Sequence, residues 1–277
     1  MQIPTAGAVS LSRPYQLEHD DRVRFDRDGF VHLKGALDAD VVLRYEPAIT
    51  AKVIELNTEH LPFEQRSTYS KAFLQVMNLW CHSEVVREFV FGRRLAQIAA
   101  ELLGVRAVRL YHDQALYKEG GGGITPWHVD QYYWPLASPL TCTAWVPLQD
   151  TPLDMGPLIF AAGTHRHPQE EGLEIGDRSQ EFYTAWVADR GVRVVEEPFN
   201  LGDVSFHTGW MLHRAGVNTT STPRRVMTII YMDADMLVRE PTNDRQREDL
   251  ESWLPGLQPG HQAASHLNPV LFDFDAR

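Results

Sequence analysis

The residues best placed for chemistry are a histidine and an aspartate two apart, in TPWHVDQYYW at 125–134. On an extended strand, residues i and i+2 face the same side. The His128 imidazole and the Asp130 carboxylate can then grip one metal ion. Alone the pair is weak evidence. The chain has 12 histidines, so such a spacing is expected to arise by chance, and a salt-bridged strand pair is the plain alternative. The spacing does recur at His19 and Asp21, which read as an exposed N-terminal coincidence.

A second segment changes the weighting: GDVSFHTGWMLHRAGVNTTSTPRRVMTIIYM at 202–232. It supplies another histidine across the strand-rich region. Two histidines and one carboxylate form the facial set that holds Fe(II) and leaves coordination positions open. Arg224 follows in the same segment, and an arginine fork pairs with a carboxylate in bidentate fashion. A site using iron, O2 and a dicarboxylate co-substrate needs this combination. His207 competes with His213 for the third ligand position. Arg224 stands closer behind His213, which favours His213 and leaves His207 as a buried histidine bonded to backbone.

The elements that must position these residues follow from pattern. Residues 1–19 are polar and read as loose. Phe25 to Lys34 reads as a helix end, a turn at Gly29 and a strand. Residues 38–60 read as a helix capped by Asp38, with Pro47 expected to kink or split it. Residues 84–103 read as one or two helices, started by Ser83 and closed by Gly104. Their apolar stripes, Val85 to Val90 and Leu95 to Leu103, are packing faces. After Val105 short apolar runs alternate with Gly and Pro turns, at 105–118, 139–148, 157–161, 192–198, 203–207 and 225–233, as antiparallel strands do. The fold class is therefore mainly β with flanking helices, an α+β arrangement with a β-sandwich or jelly-roll core and helices packed on one face. We expect one domain over 1–277, with helical packing elements mainly in 38–104, the jelly roll at about 105–235 and a C-terminal tail at 236–277. The glycine run Gly120 to Gly123 reads as a mobile loop. Residues 166–191 read as a lid or as a surface helix.

Composition sets bounds. Hydrophobic residues are 43% and charged residues 23%, which excludes whole-chain disorder. The formal net charge of −11 argues against nucleic acid and anionic membranes as partners. Cys81 and Cys142 make neither a disulfide framework nor a zinc cluster. No signal-like head or membrane-length apolar run is evident, so a reducing cytoplasm is the expected compartment.

Taken in order, DGFVHLKGAL at 28–37, QVMNLW at 75–80, LYKEGGGGITPWHVDQYYW at 116–134, CTAWVPLQDT at 142–151, GPLIFAAGTHR at 156–166 and the His213–Arg224 segment resemble the phytanoyl-CoA dioxygenase family, which includes ectoine hydroxylase. The resemblance implies a double-stranded β-helix (cupin-like) core. It also implies an Fe(II)- and 2-oxoglutarate-dependent oxygenase that uses O2 to hydroxylate an aliphatic C–H, releasing succinate and CO2. His128, Asp130 and His213 then match the iron ligands, and Arg224 the partner of the far carboxylate of 2-oxoglutarate. Thr143 matches a small hydroxyl residue near that co-substrate, and Gln75 a lysine or glutamine directed toward it. Trp145, two residues after Thr143 on one strand face, is a candidate pocket wall. Trp134 matches a substrate-side aromatic. One departure is Ala215, where some members carry a serine two residues after the last iron ligand. Family members that halogenate lack the metal carboxylate, so the presence of Asp130 argues against halogenation.

For the supporting residues the plain readings stand beside the functional ones. Thr143 and Trp145 also suit a strand and a core. Gln75 also suits a turn. Tyr132, Tyr133 and Trp134 form a substrate wall or simply pack. His112 and Gln114 share a strand face that can open into the barrel mouth. Two other readings of the whole are a cupin-like metalloenzyme without 2-oxoglutarate and a non-catalytic jelly-roll binding module. The substrate and the oligomeric state are not legible.

Overall fold

The computed structural model describes residues 11–167 and 172–276. The N-terminal part is mostly helical. Residues 11–19, read as loose, are anchored: Leu11 and Leu17 are buried in the core, and Tyr15 exchanges backbone hydrogen bonds with the Gln97 amide at 3.1 and 3.0 Å. Helix α1 (His19–Asp28) ends on Gly29, whose left-handed φ of 83° turns the chain directly into β1 (Phe30–Leu33). His19 and Asp21 lie in the first turn of α1, so their i, i+2 spacing points them apart. Asp21, expected to be exposed, is buried and pairs with Arg24.

Helix α2 (Ala39–Leu56) follows Asp38, whose side chain makes no capping hydrogen bond. Pro47 does not split it. The proline and Leu43, the residue whose carbonyl loses its partner, are both exposed, so that carbonyl faces solvent rather than the core. A short helix α3 (Thr68–Ala72) leads into β2 (Leu74–Met77). Two helices, α4 (Glu84–Val90) and α5 (Arg93–Leu103), occupy the second apolar region. The Ser83 hydroxyl accepts from the Val86 N–H at the start of α4, and Gly104 closes α5 at a φ of 66°. Leu95, Ile98 and Ala99 of α5 are fully buried. Each large aliphatic side chain so placed contributes roughly 1.5–3 kcal/mol.

The strands β3 (Ala107–Tyr117), β5 (Thr141–Pro147), β8 (Val204–Thr208) and β10 (Val226–Asp233) form the centre of a seven-stranded antiparallel sheet ordered β1-β8-β5-β10-β3-β11, with β2 also on β3. Here β11 is Val270–Asp273. A second antiparallel sheet is ordered β4-β9-β6-β7, from β4 (Thr125–His128), β9 (His213–Ala215), β6 (Leu158–Ala161) and β7 (Val194–Glu196). The two sheets face each other as a jelly roll, and the N-terminal helices pack on the outer face of the larger one.

Period two sorts the side chains. On β5, Cys142, Ala144 and Val146 join the helix-side core, and Trp145 joins the core between the sheets. On β8, Val204 and Phe206 face the helices, so Ser205 and His207 face inward. On β3 the phase changes. His112 pairs with Ile230 and Leu110 with Tyr231, leaving Tyr111 as the extra residue of a bulge. Bulges re-aim side chains. Val108 and Leu110 face the helices before it, Ala115 and Tyr117 after it, and His112, Gln114 and Leu116 therefore turn into the barrel.

Of residues 236–277, read as a tail, 236–276 are part of the folded body, and 277 lies outside the described residues. Helix α7 (Asp244–Trp253) and β11 come from this segment, and Met236, Val238, Leu254 and Ala263 build a third core with Tyr111 and Trp134. The glycine run is tied down rather than loose. The Gly121, Gly122 and Gly123 N–H groups donate to Asn218, Glu119 and Lys71 carbonyls at 2.9, 2.8 and 3.0 Å. Of the 166–191 segment, residues 168–171 lie outside the described residues, and the rest holds a surface helix, α6 (Asp177–Asp189). It packs on β4, and its Gln180 side chain accepts from the Trp127 N–H at 3.1 Å. Among the described residues no helix is long and apolar enough to cross a membrane.

Candidate active site

Strands β4 and β9 are antiparallel neighbours with His128 directly opposite His213. That register places the two rings 4.1 Å apart. Beyond β4 the chain turns through Asp130–Tyr132, which swings the Asp130 carboxylate back over the pair. Asp130 Oδ1 lies 3.6 Å from His128 Nε2 and 3.8 Å from His213 Nε2. Among the described residues these three form the cluster whose ligand atoms all lie within 4.8 Å of one another.

The histidines are oriented for this use. His128 Nδ1 meets the Pro126 carbonyl and His213 Nδ1 the Met211 carbonyl, each at 2.8 Å. A carbonyl only accepts, so each Nδ1 carries the proton and each Nε2 presents its lone pair. Burial pushes both imidazoles below the usual histidine range, His213 well below it. They stay neutral, as metal ligation requires. Burial by itself would raise the Asp130 carboxyl, but His213, His207 and His128 around it outweigh that and hold it well below the usual carboxylate range. Two neutral nitrogens and one anionic oxygen within reach of one ion suit Fe(II), so the donor set fits the metal.

The other oxygen of Asp130 has different company. Thr143 Oγ1 donates to Oδ2 at 3.3 Å, and His207 Nε2 lies 3.4 Å from the same atom. Thr143 and His207 are cross-strand partners on β5 and β8, which is why both arrive there. His207 was expected to bond backbone. Instead both its ring nitrogens are buried with no aligned hydrogen bond. Thr143, expected near a co-substrate, reaches the site through the carboxylate.

Farther into the barrel, Arg224 is 1% exposed. Its guanidinium lies 5.5 Å over the Trp145 ring and donates to the Gly156 carbonyl, while Nε has no partner. Burial pushes it down to about 9, which still leaves it charged at neutral pH. The Trp145 indole N–H is likewise buried and orphaned. Buried polar atoms are normally satisfied. A buried cation and a row of orphan donors inside one barrel fit an anionic ligand such as the far carboxylate of 2-oxoglutarate.

The remaining candidates spread around the mouth. His112 is buried, with burial pushing it down to about 3, and it feels the Asp130 charge. Its ring lies 5.6 Å from Trp253 of α7. Gln114 is half-buried and accepts from the Gln75 amide, so these two form one polar patch beside the inward face of β3. Tyr132 and Tyr133 pack edge to face at 5.0 Å. The Tyr133 hydroxyl accepts from the Ile175 N–H at 2.8 Å, and the Tyr132 carbonyl accepts from Gln246 of α7 at 3.0 Å. They join the segment before α6 to the C-terminal helix. Trp134 is placed in the third core, edge-on to Tyr111 at 5.5 Å, where it packs.

Sequence reasoning missed Lys118, Thr125 and Asp249. Lys118 and Thr125 are buried within the barrel beside Arg224. Asp249 of α7 accepts from the Tyr111 hydroxyl at 2.9 Å, and burial pushes its carboxyl up to about 7. Only the pairing of strands and the return of the C-terminal segment bring them in.

Residues 25–226 match the phytanoyl-CoA dioxygenase (PhyH) family. The 1-deoxypentalenic acid 11-beta-hydroxylase of Streptomyces exfoliatus is 23% identical over 264 residues, 84% of this chain and 87% of the relative. Among solved structures, the epimerase SnoN, in complex with Fe3+, alpha ketoglutarate and nogalamycin RO, is 27% identical with a TM-score of 0.76, over 91% of this chain and 98% of that one. The alpha ketoglutarate-dependent carbocyclase SnoK from nogalamycin biosynthesis is 25% identical with a TM-score of 0.76, over 94% and 99%.

Proposed function

This chain belongs to the phytanoyl-CoA dioxygenase family, and we propose that His128, Asp130 and His213 are its iron ligands and Arg224 the anchor of its co-substrate. It is an Fe(II)- and 2-oxoglutarate-dependent oxygenase. One observation carries the residue assignment: the three-donor cluster and a fully buried arginine, with no carboxylate partner among the described residues, share one barrel interior.

Iron with 2-oxoglutarate and O2 supplies the oxidising power to attack an aliphatic C–H bond, with release of succinate and CO2. The protein's own residues bind and orient. His128 and His213 offer neutral nitrogens fixed by the Pro126 and Met211 carbonyls. Asp130 offers Oδ1, while the Thr143 hydroxyl donates to Oδ2, with His207 Nε2 3.4 Å away. Arg224 over Trp145 sets the far end of the co-substrate. Trp145 and the apolar residues of the inner core exclude water from that end. His112 and Trp253 face the mouth, with Tyr132 and Tyr133 beside it, and there they frame a small-molecule substrate.

We assign hydroxylation of a small molecule as the reaction, supported by the named hydroxylase relative. Epimerisation and ring closure are the second reading, supported by the likeness to SnoN and SnoK. A reducing cytoplasm suits the two unpaired cysteines, Cys81 and Cys142.

The test uses purified protein loaded with Fe(II). Anaerobic addition of 2-oxoglutarate should produce a weak visible charge-transfer band, and air should then yield succinate. Asp130→Ala should remove both. Arg224→Ala should abolish 2-oxoglutarate use, whereas a metalloenzyme that needs no co-substrate would tolerate it. Persistence of band and succinate in Asp130→Ala would sink the assignment.

A further inference from the structure

Lys118 is 0% exposed and Arg224 1%. They stand directly opposite each other in an antiparallel bridge, each N–H donating to the other's carbonyl, at 2.9 and 2.8 Å. Residues opposed in this way put their side chains on the same face, with Cβ atoms about 4.5–5.5 Å apart. Here that face is the barrel interior. Lys118 Nζ donates to the Gly123 carbonyl and, at 3.3 Å, to Thr125 Oγ1. No carboxylate among the described residues pairs with either cation. A single buried cation is already costly without a counter-charge, and two side by side are worse. Burial, with the Arg224 charge as the smaller cause, pushes Lys118 down to about 6. An anion between the two would reverse both effects.

Thr125 adds a second line of argument. It stands directly opposite Ala215 across β4 and β9. The Ala215 side chain brings no polar atom to that place, whereas the Thr125 hydroxyl on the facing strand lies 3.3 Å from Lys118 Nζ.

We propose that Lys118, with Thr125 as its hydroxyl partner, forms the second half of the clamp on the far carboxylate of the co-substrate, opposite Arg224. This rests on the 2-oxoglutarate reading above. It makes Lys118 a binding residue that grips the carboxylate from the β3 side, while Arg224 grips it from the β10 side. It also makes the pocket demand a dicarboxylate, since a monocarboxylate keto acid would leave the Arg224 charge unbalanced and give Lys118 no anion to hold its proton.

The test compares two ligands by anaerobic calorimetry, with Mn(II) in place of iron so that no turnover is needed. One ligand is 2-oxoglutarate. The other is 2-oxopentanoate, which has the same keto-acid end and chain length but no far carboxylate. Wild-type protein should prefer 2-oxoglutarate. Lys118→Met should cut that preference by about 10- to 100-fold, the loss expected for one charge-assisted contact. Lys118→Arg should restore part of it. Thr125→Val should cut it by less than Lys118→Met. If Lys118→Met keeps the wild-type preference, the proposal is wrong. It is equally wrong if both ligands weaken alike, because that is what a lysine that merely ties down the glycine loop would do. Should Lys118→Met not fold, Thr125→Val decides, and an unchanged preference there overturns the proposal. Wild-type protein with no preference for 2-oxoglutarate refutes the co-substrate reading itself, which separates the two failures.

Discussion

Replacing Thr143 by valine tests whether the two oxygens of Asp130 have separate duties. Oδ1 faces His128 and His213 at 3.6 and 3.8 Å. Oδ2 accepts from the Thr143 hydroxyl at 3.3 Å and lies 3.4 Å from His207. Valine keeps the shape of threonine and removes the donor. Hydrogen bonds to charged groups contribute about 1.5–3 kcal/mol. At 3.3 Å this one is long, so the low end applies. About 1.4 kcal/mol is a factor of ten in a binding constant. Partners that orient metal ligands typically cost about 10- to 100-fold when removed. We therefore expect Thr143→Val to bind Fe(II) about tenfold more weakly in anaerobic titration. Thr143→Ser, which keeps the hydroxyl, should stay near wild type. Thermal unfolding of both should confirm an intact fold. Wild-type iron affinity in Thr143→Val, or equal losses in valine and serine variants, would refute the division of labour.

Three further outcomes follow from the same geometry. Because burial holds His128 and His213 below the usual range, Fe(II) affinity should change little between pH 7.5 and 6. Two exposed histidines at about 6.5 would lose roughly tenfold over that interval, and such a loss in a metal titration would contradict the burial argument. Asp113 is fully buried and burial pushes its carboxyl up to about 7, despite the Leu79 and Trp80 N–H groups donating to it. A carboxyl raised on folding binds its proton more tightly in the folded state, so its stabilisation is complete below about pH 4 and declines as pH rises to about 7. Denaturant unfolding of wild type and Asp113→Asn should show the difference shifting against wild type by on the order of 4 kcal/mol across that window, and a pH-independent difference would refute it. Gly209→Ala should lower the Tm by several degrees, because a Cβ there would sit 2.5 Å from Gln131 Oε1 and Thr141 Oγ1 and 2.7 Å from the Trp134 ring. Overpacking of this kind costs about 1–3 kcal/mol, and calorimetry that shows no drop would mean the loop yields freely.

Local chemistry made part of the fold legible. Ser83 and Gly104 were readable as helix ends because capping depends on single residue types at single positions. The strands were readable because turn residues bracket each apolar run. Glycine was the less faithful signal. Gly120 to Gly123 read as freedom, yet a Cβ at Gly120 would lie 2.8 Å from the Ser221 carbonyl oxygen and one at Gly122 2.7 Å from that of Glu119. Those glycines permit close backbone approach, to Ser221 across the loop and to Glu119 within it, and only the folded backbone reveals it. The C-terminal segment read as a tail for a related reason. Its buried residues pack against Tyr111 and Trp134, far away in sequence, so no local period announces them.

The candidate site divides along the same line. His128 and Asp130 were visible because a spacing of two survives without knowledge of any neighbour. His213 was preferred to His207 through the placement of Arg224, and the strand register is consistent with that choice: His213 faces His128, while His207 faces Thr143. Lys118 was invisible because its meaning comes from lying opposite Arg224, a register that no single strand encodes. His112 and Gln114 show how far one residue can matter. With regular alternation from Leu110, which faces the helices, even-numbered residues of β3 would all face the helices. The extra residue at Tyr111 reverses the phase and sends His112 toward Asp130 instead. A substrate-facing role for His112 therefore depends on the bulge. Deleting Tyr111 would leave Leu110 opposite Tyr231 and His112 opposite Ile230 in a regular ladder, so His112 and Gln114 would still face the barrel and only the Tyr111 ring would be lost from its packing against Trp134. It is flattening the bulge with Tyr111 kept in the ladder that would turn two polar groups into the apolar helix-side core.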